Sequence, residues 1–421
     1  MKNSAKGTML KFDDAFEIVM SSARRLGSER VAIDHALNRV LAEDIVSDID
    51  VPPFNKSAMD GFACRRADLA NELTVIETIP AGMMPKRTIG QDQCAKIMTG
   101  AVVPEGADCV IMVEHTESVA ENKIRFTGSS LVLSRVEGTE DNICLKGQDI
   151  KKKDIVLKSG ELIKPQHIAV LASVGCVQPV VSLQPRVGII ATGDELVEPR
   201  EKPAAWQIRN SNAYQLAAQV AYASAVPTDY GIVPDTEQAI DAVLKKAIAE
   251  NDVVILSGGV SVGDYDLVRE ILRKNNVKLL FERVAVKPGR PTVFGVYSSC
   301  ETSRSTQYAV RNTKFVFGLP GNPVSAFIMF ELLVKPFLFR MMGHDYKSAV
   351  SHRHLEKTIT RKNTERDSWL PVVFIDDDKV AKIEYHGSAH INALCKADGL
   401  VCIPAGVAEI KEGATLAVRQ I

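Results

Sequence analysis

Residues 253–272 read VVILSGGVSVGDYDLVREIL, and this stretch decides the fold of the central part of the chain. Four apolar residues of buried-strand type run directly into a glycine-rich turn, and a helical pattern leaves that turn. A glycine-rich turn between a strand and a helix commonly cradles a phosphate. This turn instead carries two carboxylates, Asp264 and Asp266, where a phosphate loop carries a lysine. The stretch therefore predicts a strand–turn–helix unit in which acidic side chains take part in ligand binding.

The alternation of strand and helix extends over residues 184–340. Unbroken apolar strands separated by helices predict a central three-layer α/β/α domain with a mostly parallel sheet. Within it we expect a capping box at Asp235-x-x-Gln238 to open one helix, and a single helix over residues 324–338. Ligands of such sheets lie beyond the carboxyl ends of the strands, so the site is expected there.

The remaining sequence predicts three further parts. Residues 8–45 have a helical pattern, with a second short helix around Leu37, and short β-rich runs with Gly and Pro follow. Short strands near the end of the chain predict a small β-barrel or sandwich. The expected domains are a mixed, discontinuous N-terminal domain (1–46 and 142–183), an inserted β-rich module (47–141), the α/β domain (184–340) and a C-terminal β domain (341–421).

Composition excludes several classes of protein. The 421 residues contain 51 Lys plus Arg and 52 Asp plus Glu, which argues against a dedicated nucleic-acid-binding protein. None of the eight cysteines forms a C-x-x-C pair, so the pattern predicts neither a zinc nor a redox site. The N-terminus lacks a secretory apolar core, and the least polar long stretch, 168–183, is interrupted by polar residues. We therefore expect a cytoplasmic protein with no nucleic-acid or membrane partner.

Three strand ends of the predicted α/β domain carry unusual loops: ATGDEL, SGGVSVGDYD and LPGNPVS. Each loop alone could be a tight turn with an aspartate as helix cap. Together they form one polar rim, because parallel strands share a direction, and this favours a binding site. The residues that we expect to contact a ligand are Gly193, Ser257, Gly258, Gly259, Ser261, Gly263, Asp264, Pro320, Gly321, Asn322, Pro323 and Ser325.

The rim combines acidic and basic side chains. Glu195, Asp235 and Asp266 offer the hard oxygen ligands that Mg²⁺ prefers, and a metal ion between them and a phosphate would reverse their repulsion. Lys287 and Arg290 stand in the proline- and glycine-framed segment VAVKPGRP; the alternative is a solvated surface pair. Acids that bind a metal, next to a basic clamp, indicate phosphoryl-type chemistry.

Eight segments together resemble the MoeA family, which includes the E domain of gephyrin. They are PPFNKSAMDGFA, IMTGAVVPEGAD, GIIATGDELVEP, IRNSNAYQL, SGGVSVGDYDLV, VAVKPGRP, GLPGNPVSAF and GSAHINALCKADGLVCIPAG. The resemblance implies a molybdopterin molybdenumtransferase, which inserts molybdate into adenylylated molybdopterin and releases AMP with the help of Mg²⁺. It also implies an elongated homodimer of four-domain subunits with a C-terminal barrel. In such a dimer the α/β domain of one subunit and the β-rich module of the other share the cleft. We expect a molybdopterin adenylyltransferase and downstream molybdoenzyme chaperones as further partners.

The resemblance also implies roles for individual positions. Functional polar positions of the family correspond to Asp60, Thr99, Asp149, Glu195, Asp235 and Asp266; its basic and Pro-Gly loop positions correspond to Lys287, Arg290, Pro320 and Pro323. Molybdate is expected near Lys287, Arg290 and Ser325, with Arg366 and Ser388 as further candidates. Four positions depart from the family pattern: Arg290 stands where Lys is usual, Cys144 where Arg is common and Gln148 where Glu is common, and the second glycine often seen after Gly387-Ser388 is missing. The planar guanidinium of Arg290 binds oxyanions in a different geometry from an ammonium.

Two other functions fit the residues as alternatives. The α/β domain alone also occurs in molybdopterin adenylyltransferases, although the additional domains and Lys287-x-x-Arg290 favour the molybdenumtransferase. A non-catalytic pterin-binding scaffold is the second alternative, and the acids retained on the strand-end loops argue against it. The choice between molybdate and tungstate stays open.

Overall fold

The computed structural model describes residues 9–128, 141–259, 267–298, 313–384 and 390–421. The chain divides into two compact units. The first unit comprises Met1–Glu29, Asn38–Ala42 and Val180–Ile421, and the second comprises Arg30–Leu37 and Glu43–Pro179. Among the described residues, no helix is both long enough and apolar enough to cross a membrane.

Both units are built mainly from short strands. The α-helices of the described residues are α1 (Phe12–Ser22), α2 (Pro165–Ser173), α3 (Asn212–Tyr222), α4 (Glu237–Glu250), α5 (Leu267–Lys274), α6 (Pro323–Met329) and α7 (Lys335–Met341). The strands up to residue 182 are β1 (Ser28–Arg30), β2 (Ile45–Val46), β3 (Lys56–Ser57), β4 (Gly61–Cys64), β5 (Glu72–Ile79), β6 (Gln93–Ile97), β7 (Cys109–Met112), β8 (Thr116–Ala120), β9 (Lys123–Phe126), β10 (Ile143–Cys144), β11 (Ile155–Leu157) and β12 (Val180–Ser182).

The later strands form the central sheet, the C-terminal barrel and two small ribbons. They are β13 (Arg186–Thr192), β14 (Leu196–Val197), β15 (Ile208–Arg209), β16 (Val226–Val233), β17 (Val253–Ser257), β18 (Val277–Phe281), β19 (Val286–Lys287), β20 (Val293–Ser298), β21 (Thr313–Leu319), β22 (Val350–Leu355), β23 (Ile359–Thr360), β24 (Asp367–Phe374), β25 (Lys379–Lys382), β26 (Gly399–Ile403), β27 (Glu409–Ile410) and β28 (Thr415–Gln420).

A six-stranded sheet with the order β16-β13-β17-β21-β20-β18 lies at the centre of the first unit. The first four strands are parallel, and β20 and β18 join antiparallel, so the sheet is mixed. All five residues of β17 are buried, which explains the unbroken apolar run that opened the sequence analysis. Helices α4 and α5 pack their apolar residues against this sheet, and Leu244, Leu256 and Ile271 belong to one core cluster.

A closed five-stranded barrel follows near the end of the chain. Its strands run β24-β25-β22-β28-β26, and the pairing of β24 with β26 closes the ring. Val372, Val380, Val401 and Val418 fill its interior and are at most 1% exposed. The structure therefore confirms the C-terminal barrel. Strand β19 of the central region pairs with β24, which ties the segment after Val286 to the barrel.

The second unit contains a mixed six-stranded sheet with the order β7-β4-β6-β5-β9-β8. Alternate residues of its strands face two different apolar clusters: Phe62 packs with Ile111, whereas the neighbouring Ala63 packs with Ile97. The predicted β-rich character of this region is therefore confirmed. The contact-defined units are coarser than the four predicted domains, so the domain boundaries stay predictions.

Two helix predictions were wrong in detail. Only Phe12–Ser22 of the helical pattern over residues 8–45 is an α-helix, and the second helix is a single 3₁₀ turn, Ile33–His35. Asn38 adopts a φ of +62°, which ends any helix at that point. The helix predicted over 324–338 is interrupted by a π segment, Phe330–Val334. Pro336 lacks the N–H that a regular helix would donate to the preceding turn.

The capping box at Asp235 was also wrong. Helix α4 begins at Glu237, and its cap is Thr236, whose hydroxyl accepts a hydrogen bond from the Ala239 amide. The chain leaves β16 through Pro234, and the helix therefore starts one residue later than the sequence pattern indicates. This releases the Asp235 carboxylate from a capping role.

Candidate active site

The carboxyl ends of four parallel strands meet at one edge of the central sheet. Ala191 of β13 pairs with Ser257, the last residue of β17, and Ser257 pairs with Leu319, the last residue of β21. Thr192 pairs with Val233, the last residue of β16. The strand ends that carry the three glycine-containing loops therefore share one edge, as strand direction predicts, and Asp235 follows the fourth strand. Residues 260–266 of the second loop lie outside the described residues.

A cavity of about 600 Å³ opens at this edge. Its volume falls in the range of small-molecule sites. Strand-end residues and the segment before α3 supply most of its wall. The lining residues are Ala191, Thr192, Gly193, Glu195, Leu196, Ile208, Arg209, Asn210, Ser211, Asn212, Asp235, Ser257, Gly258, Gly259, Pro291, Pro320, Gly321, Asn322, Pro323 and Ile391.

The turn after β17 strongly favours glycine at two positions. Gly258 has a φ of +99°, and a Cβ atom there would lie 2.4 Å from the Thr192 carbonyl oxygen. Gly259 has a φ of +64°, and its Cβ would lie 2.6 Å from Cγ2 of Val268. The glycines therefore let this turn approach both β13 and α5 closely, with its backbone lining the cavity.

Acidic side chains form one corner of the cavity. The Asp235 amide donates a hydrogen bond of 3.0 Å to Oδ1 of Asp194. The Glu195 carboxylate lies over Gly193, where a Cβ atom would come within 2.7 Å of Oε2. Partial burial, and then the negative charges of Asp194 and Glu195, raise the pKa of the Asp235 carboxyl. The carboxylates of Asp194, Glu195 and Asp235 thus lie close enough to influence one another, and this crowding is suited to binding a cation.

The described residues contain no group of three His, Cys, Asp or Glu side chains arranged as a metal site. The predicted third acid, Asp266, lies outside the described residues, as do Ser261, Gly263, Asp264 and Ser388. Glu195 and Asp235 are thus the two predicted metal ligands that the structure describes. The three-residue magnesium site stays a prediction.

Two asparagines that the sequence analysis did not propose form another part of the wall. The side-chain amide of Asn212 donates two hydrogen bonds of 2.8 Å, to Oγ of Ser257 and to the Gly321 carbonyl oxygen. It therefore joins the end of β17 to the loop after β21. Oδ1 of Asn210 accepts a hydrogen bond from the Ala213 amide at the start of α3. The only sequence signal was the pair of asparagines in IRNSN, directly before a predicted helix.

The segment VAVKPGRP lies between two cavities. Pro291 lines the cavity just described, whereas Lys287 lines a second cavity of about 410 Å³. The second cavity also contains Arg361, Lys362 and Lys382. Its lining includes Ile359, Thr360, Asn363, Ser368, Leu370 and Ile403 but no Asp or Glu among the described residues. The structure thus places Lys287 apart from Glu195 and Asp235, in a basic cavity at the barrel.

The other predicted basic and hydroxyl residues are placed as follows. Arg290 is exposed, and Nη1 of Arg366 donates a hydrogen bond of 3.4 Å to the Val286 carbonyl oxygen. Ser325 lies within α6 and is only 3% exposed. Ser325 does not line either of the two cavities. Molybdate binding at these residues stays a prediction.

Asp60 and Thr99 lie next to each other in the second unit. Both the amide and the hydroxyl of Thr99 donate hydrogen bonds of 2.7 Å to Oδ1 of Asp60. These two bonds lower the pKa of the exposed Asp60 carboxyl. Asp149, whose amide donates to the Val51 carbonyl oxygen, lies in the same unit. The structure therefore brings together Asp60 and Thr99 as a pair.

Family models match the chain in three consecutive segments. Residues 10–175 match the MoeA N-terminal region (domain I and II), residues 188–340 a probable molybdopterin binding domain, and residues 357–421 the MoeA C-terminal region (domain IV). A molybdopterin molybdenumtransferase of Bacillus subtilis (strain 168) is 33% identical over 426 residues, covering 99% of this chain and 95% of its own. The chain belongs to the MoeA family. The resemblance stated from the sequence is therefore confirmed.

Other MoeA relatives agree in sequence and in structure. A molybdopterin molybdenumtransferase of Staphylococcus epidermidis (strain ATCC 12228 / FDA PCI 1200) is 37% identical over 346 residues, covering 80% of this chain and 77% of its own. The molybdopterin biosynthesis moeA protein of Pyrococcus horikoshii OT3 superposes with a TM-score of 0.81 at 29% identity, covering 98% of this chain and 100% of its own. The 600 Å³ cavity of this MoeA chain lies almost entirely in the segment that matches the probable molybdopterin binding domain.

Proposed function

We propose that the chain is a molybdopterin molybdenumtransferase of molybdenum cofactor biosynthesis. Its substrates are then adenylylated molybdopterin and molybdate, and AMP is the leaving product. The names of its relatives support this assignment over nearly the whole chain. One structural observation carries it: Glu195, Asp235, the Gly258–Gly259 turn and Asn212 all line a single cavity at the carboxyl edge of the central sheet.

The phosphoanhydride of the substrate is proposed to lie against the Gly258–Gly259 turn. Backbone N–H groups in a turn with positive φ values form concave sites that favour anions, and the Gly259 N–H is the one proposed here, since the Gly258 N–H donates to the Leu319 carbonyl oxygen. Asn212 joins Ser257, which directly precedes this turn, to Gly321 in the loop after β21, because its amide donates to both residues. The residues of the cavity thereby hold the substrate in one orientation and limit the access of water.

Glu195 and Asp235 are proposed to hold Mg²⁺, together with Asp266. The fit rests on the crowding of carboxylates, which raises the pKa of Asp235 and which a bound dication would relieve. Hard carboxylate oxygens are also the ligands that Mg²⁺ prefers. When bound, Mg²⁺ would supply charge neutralisation for the phosphate oxygens of the leaving AMP. Asp235 must be ionised to bind the ion, so protonation of Asp235 opposes the reaction.

Molybdate is proposed to reach the site from the basic side, through Lys287 and Arg290, with Arg366, Ser325 and Ser388 as further contacts. The cavity that contains Lys287 offers four cationic side chains and supports attraction of an oxyanion. Because β19 pairs with β24 of the barrel, this cavity requires the C-terminal region. A lone α/β domain lacks it, which favours the molybdenumtransferase over the adenylyltransferase reaction.

Several finer features are proposed on the same basis. The contact of α3 with α6, and of α4 with α5, supports a central sheet with helices on both faces. The homodimer follows from the family resemblance alone, as do the adenylyltransferase and the downstream chaperones as partners. The cytoplasmic location follows from the sequence pattern. All of these stay predictions.

A two-arm assay tests the proposed reaction. One arm supplies adenylylated molybdopterin, Mg²⁺ and molybdate and measures AMP; the other supplies molybdopterin and ATP without molybdate and measures adenylylated pterin. AMP formed in the first arm in proportion to molybdate supports the proposal. Adenylylated pterin accumulating in the second arm would instead assign the adenylyltransferase reaction.

A further inference from the structure

The pairing of β13 with β16 ends just before two aspartates. Thr192 pairs with Val233, and Pro234, which follows Val233, has no N–H with which to continue the ladder. Oδ1 of Asp194 instead accepts a hydrogen bond of 3.0 Å from the next amide along the chain, that of Asp235. This hydrogen bond therefore extends the connection between the two segments beyond the end of the sheet.

Asp194 stands on a turn whose main chain is itself held in place. The Leu196 amide donates to the Gly193 carbonyl oxygen at 3.1 Å, which closes the turn around Asp194. The Ile208 amide donates to the Glu195 carbonyl oxygen at 2.8 Å, next to the parallel pairing of β14 with β15. The Asp194 carboxylate therefore extends from a main chain that is fixed on both sides.

Asp194 differs from its two acidic neighbours in its relation to the cavity. Glu195 and Asp235 line the cavity of about 600 Å³, whereas Asp194 is exposed and is not among the described residues that line it. A carboxylate that lies outside the cavity and accepts a main-chain amide is suited to orienting its neighbour. Removal of a group that orients a metal ligand typically weakens metal binding by about ten- to a hundredfold.

We propose that Asp194 is a positioning residue, which holds the main chain of Asp235 so that the Asp235 carboxylate lines the cavity together with Glu195. Asp194 itself contacts neither the substrate nor the ion. The proposal rests on the proposed function for the identity of the ion that Glu195 and Asp235 bind. The hydrogen bond between Asp194 and Asp235 can be tested without that assumption.

Two substitutions separate the hydrogen bond of Asp194 from its charge. Asp194→Asn retains a side-chain oxygen that can accept the Asp235 amide but removes the negative charge. Asp194→Ala removes both the oxygen and the charge. Asp229→Ala is the matched control, because Oδ1 of the exposed Asp229 also accepts a main-chain amide, that of Gly231 at 2.9 Å, and Asp229 does not line the cavity.

Hydrogen exchange of the Asp235 amide measures the connection in the full-length chain, without substrate or metal. We expect this amide to exchange about tenfold faster in Asp194→Ala than in the wild type, because its acceptor is lost. In Asp194→Asn the exchange should stay within about threefold of the wild type, because an acceptor oxygen is retained. Asp229→Ala should leave the exchange of Asp235 unchanged.

Mn²⁺, titrated alone into the full-length chain and followed by its electron paramagnetic resonance signal, measures the consequence for the cavity. We expect Asp194→Ala to raise the dissociation constant of Mn²⁺ by about tenfold. The KM for Mg²⁺ in AMP release should rise by a similar factor, with kcat changed by less than about threefold, because Glu195 and Asp235 are both still present. Asp194→Asn should stay within about threefold of the wild type in both measurements, and Asp229→Ala should match the wild type.

Two results would overturn the proposal. The first is equal exchange of the Asp235 amide in the wild type and Asp194→Ala. The second is Mn²⁺ binding that Asp194→Asn weakens as much as Asp194→Ala, which would show that Asp194 acts through its charge or as a ligand. Mn²⁺ binding by the wild type that Asp194→Ala does not weaken refutes only the positioning role. A wild type that binds no Mn²⁺ and releases no AMP, with faster Asp235 exchange in Asp194→Ala, refutes only the proposed function.

Discussion

Removal of the Asn212 side chain should weaken the connection between Ser257 and Gly321, two residues that line the cavity. Asn212→Ala removes two hydrogen bonds, to Ser257 and to the Gly321 carbonyl oxygen, both of 2.8 Å. A typical hydrogen bond contributes about 1 kcal/mol net, so the loss is about 2 kcal/mol. Because about 1.4 kcal/mol corresponds to a factor of ten, local opening at this connection should become about thirtyfold more frequent.

Hydrogen exchange of the Gly258 amide measures this opening. That amide donates to the Leu319 carbonyl oxygen at 3.3 Å and thus joins the ends of β17 and β21, next to the two residues that Asn212 contacts. Local exchange is preferable to global unfolding here, because it reports opening at this hydrogen bond directly. We expect exchange of Gly258 to be about thirtyfold faster in Asn212→Ala under conditions in which opening is a pre-equilibrium.

Gln215→Ala provides the matched control on the same helix. Nε2 of Gln215 donates to the Pro323 carbonyl oxygen at 3.4 Å, near the limit for a hydrogen bond. We expect no more than about a twofold change in the exchange of Gly258 in this variant. Exchange that is equal in the wild type, Asn212→Ala and Gln215→Ala would refute the role of Asn212 in joining Ser257 to Gly321.

Three further predictions concern the glycine turn, the acidic corner and the basic cavity. Gly258→Ala should lower the thermal midpoint by about 5 °C, because Gly258 has a φ of +99° and its Cβ would lie too close to the Thr192 carbonyl oxygen. Gly321→Ala is the control: its Cβ would meet only Cα of Gly258, at 3.6 Å, so the midpoint should change by about 1 °C at most. Asp235→Asn should abolish AMP release, because the carboxylate proposed to bind Mg²⁺ is lost. The same change should raise the thermal midpoint at neutral pH, because burial and neighbouring charges raise the pKa of Asp235 in the folded protein and make its ionised form unfavourable. That gain should vanish as the pH falls below the unfolded-state pKa, where Asp235 is protonated in both states; an equal gain at all pH values would contradict the assigned cause. Lys287→Gln should raise the KM for molybdate by about tenfold with little change in kcat, whereas Lys379→Gln, on the barrel surface, should leave both unchanged.

The position of the site could be predicted from the sequence because it follows from strand direction. Parallel strands that end at Thr192, Ser257 and Leu319 must present their loops at the same edge. The glycines after β17 were also informative, because only glycine readily adopts the φ of Gly258. Local sequence pattern and strand direction are thus enough to predict where the edge of the cavity lies.

The parts that the sequence could not predict depend on contacts between distant residues. Asn212 acquires its role from Ser257 and Gly321, which lie 45 and 109 residues further along the chain. Likewise, Lys287 faces the basic cavity because its strand pairs with Ser368 in the barrel, and no local pattern encodes that pairing. Helix α4 also starts one residue later than the sequence pattern indicates, so Thr236 rather than Asp235 caps it.

Molybdate-dependent release of AMP tests the central claim most directly. Purified wild-type protein is incubated with adenylylated molybdopterin and Mg²⁺, with and without molybdate, beside Asp235→Asn and a protein-free control. We predict AMP release by the wild type that requires molybdate and is absent in Asp235→Asn. AMP at the level of the protein-free control in the wild-type reaction would contradict the assignment of this cavity as a molybdenumtransferase site.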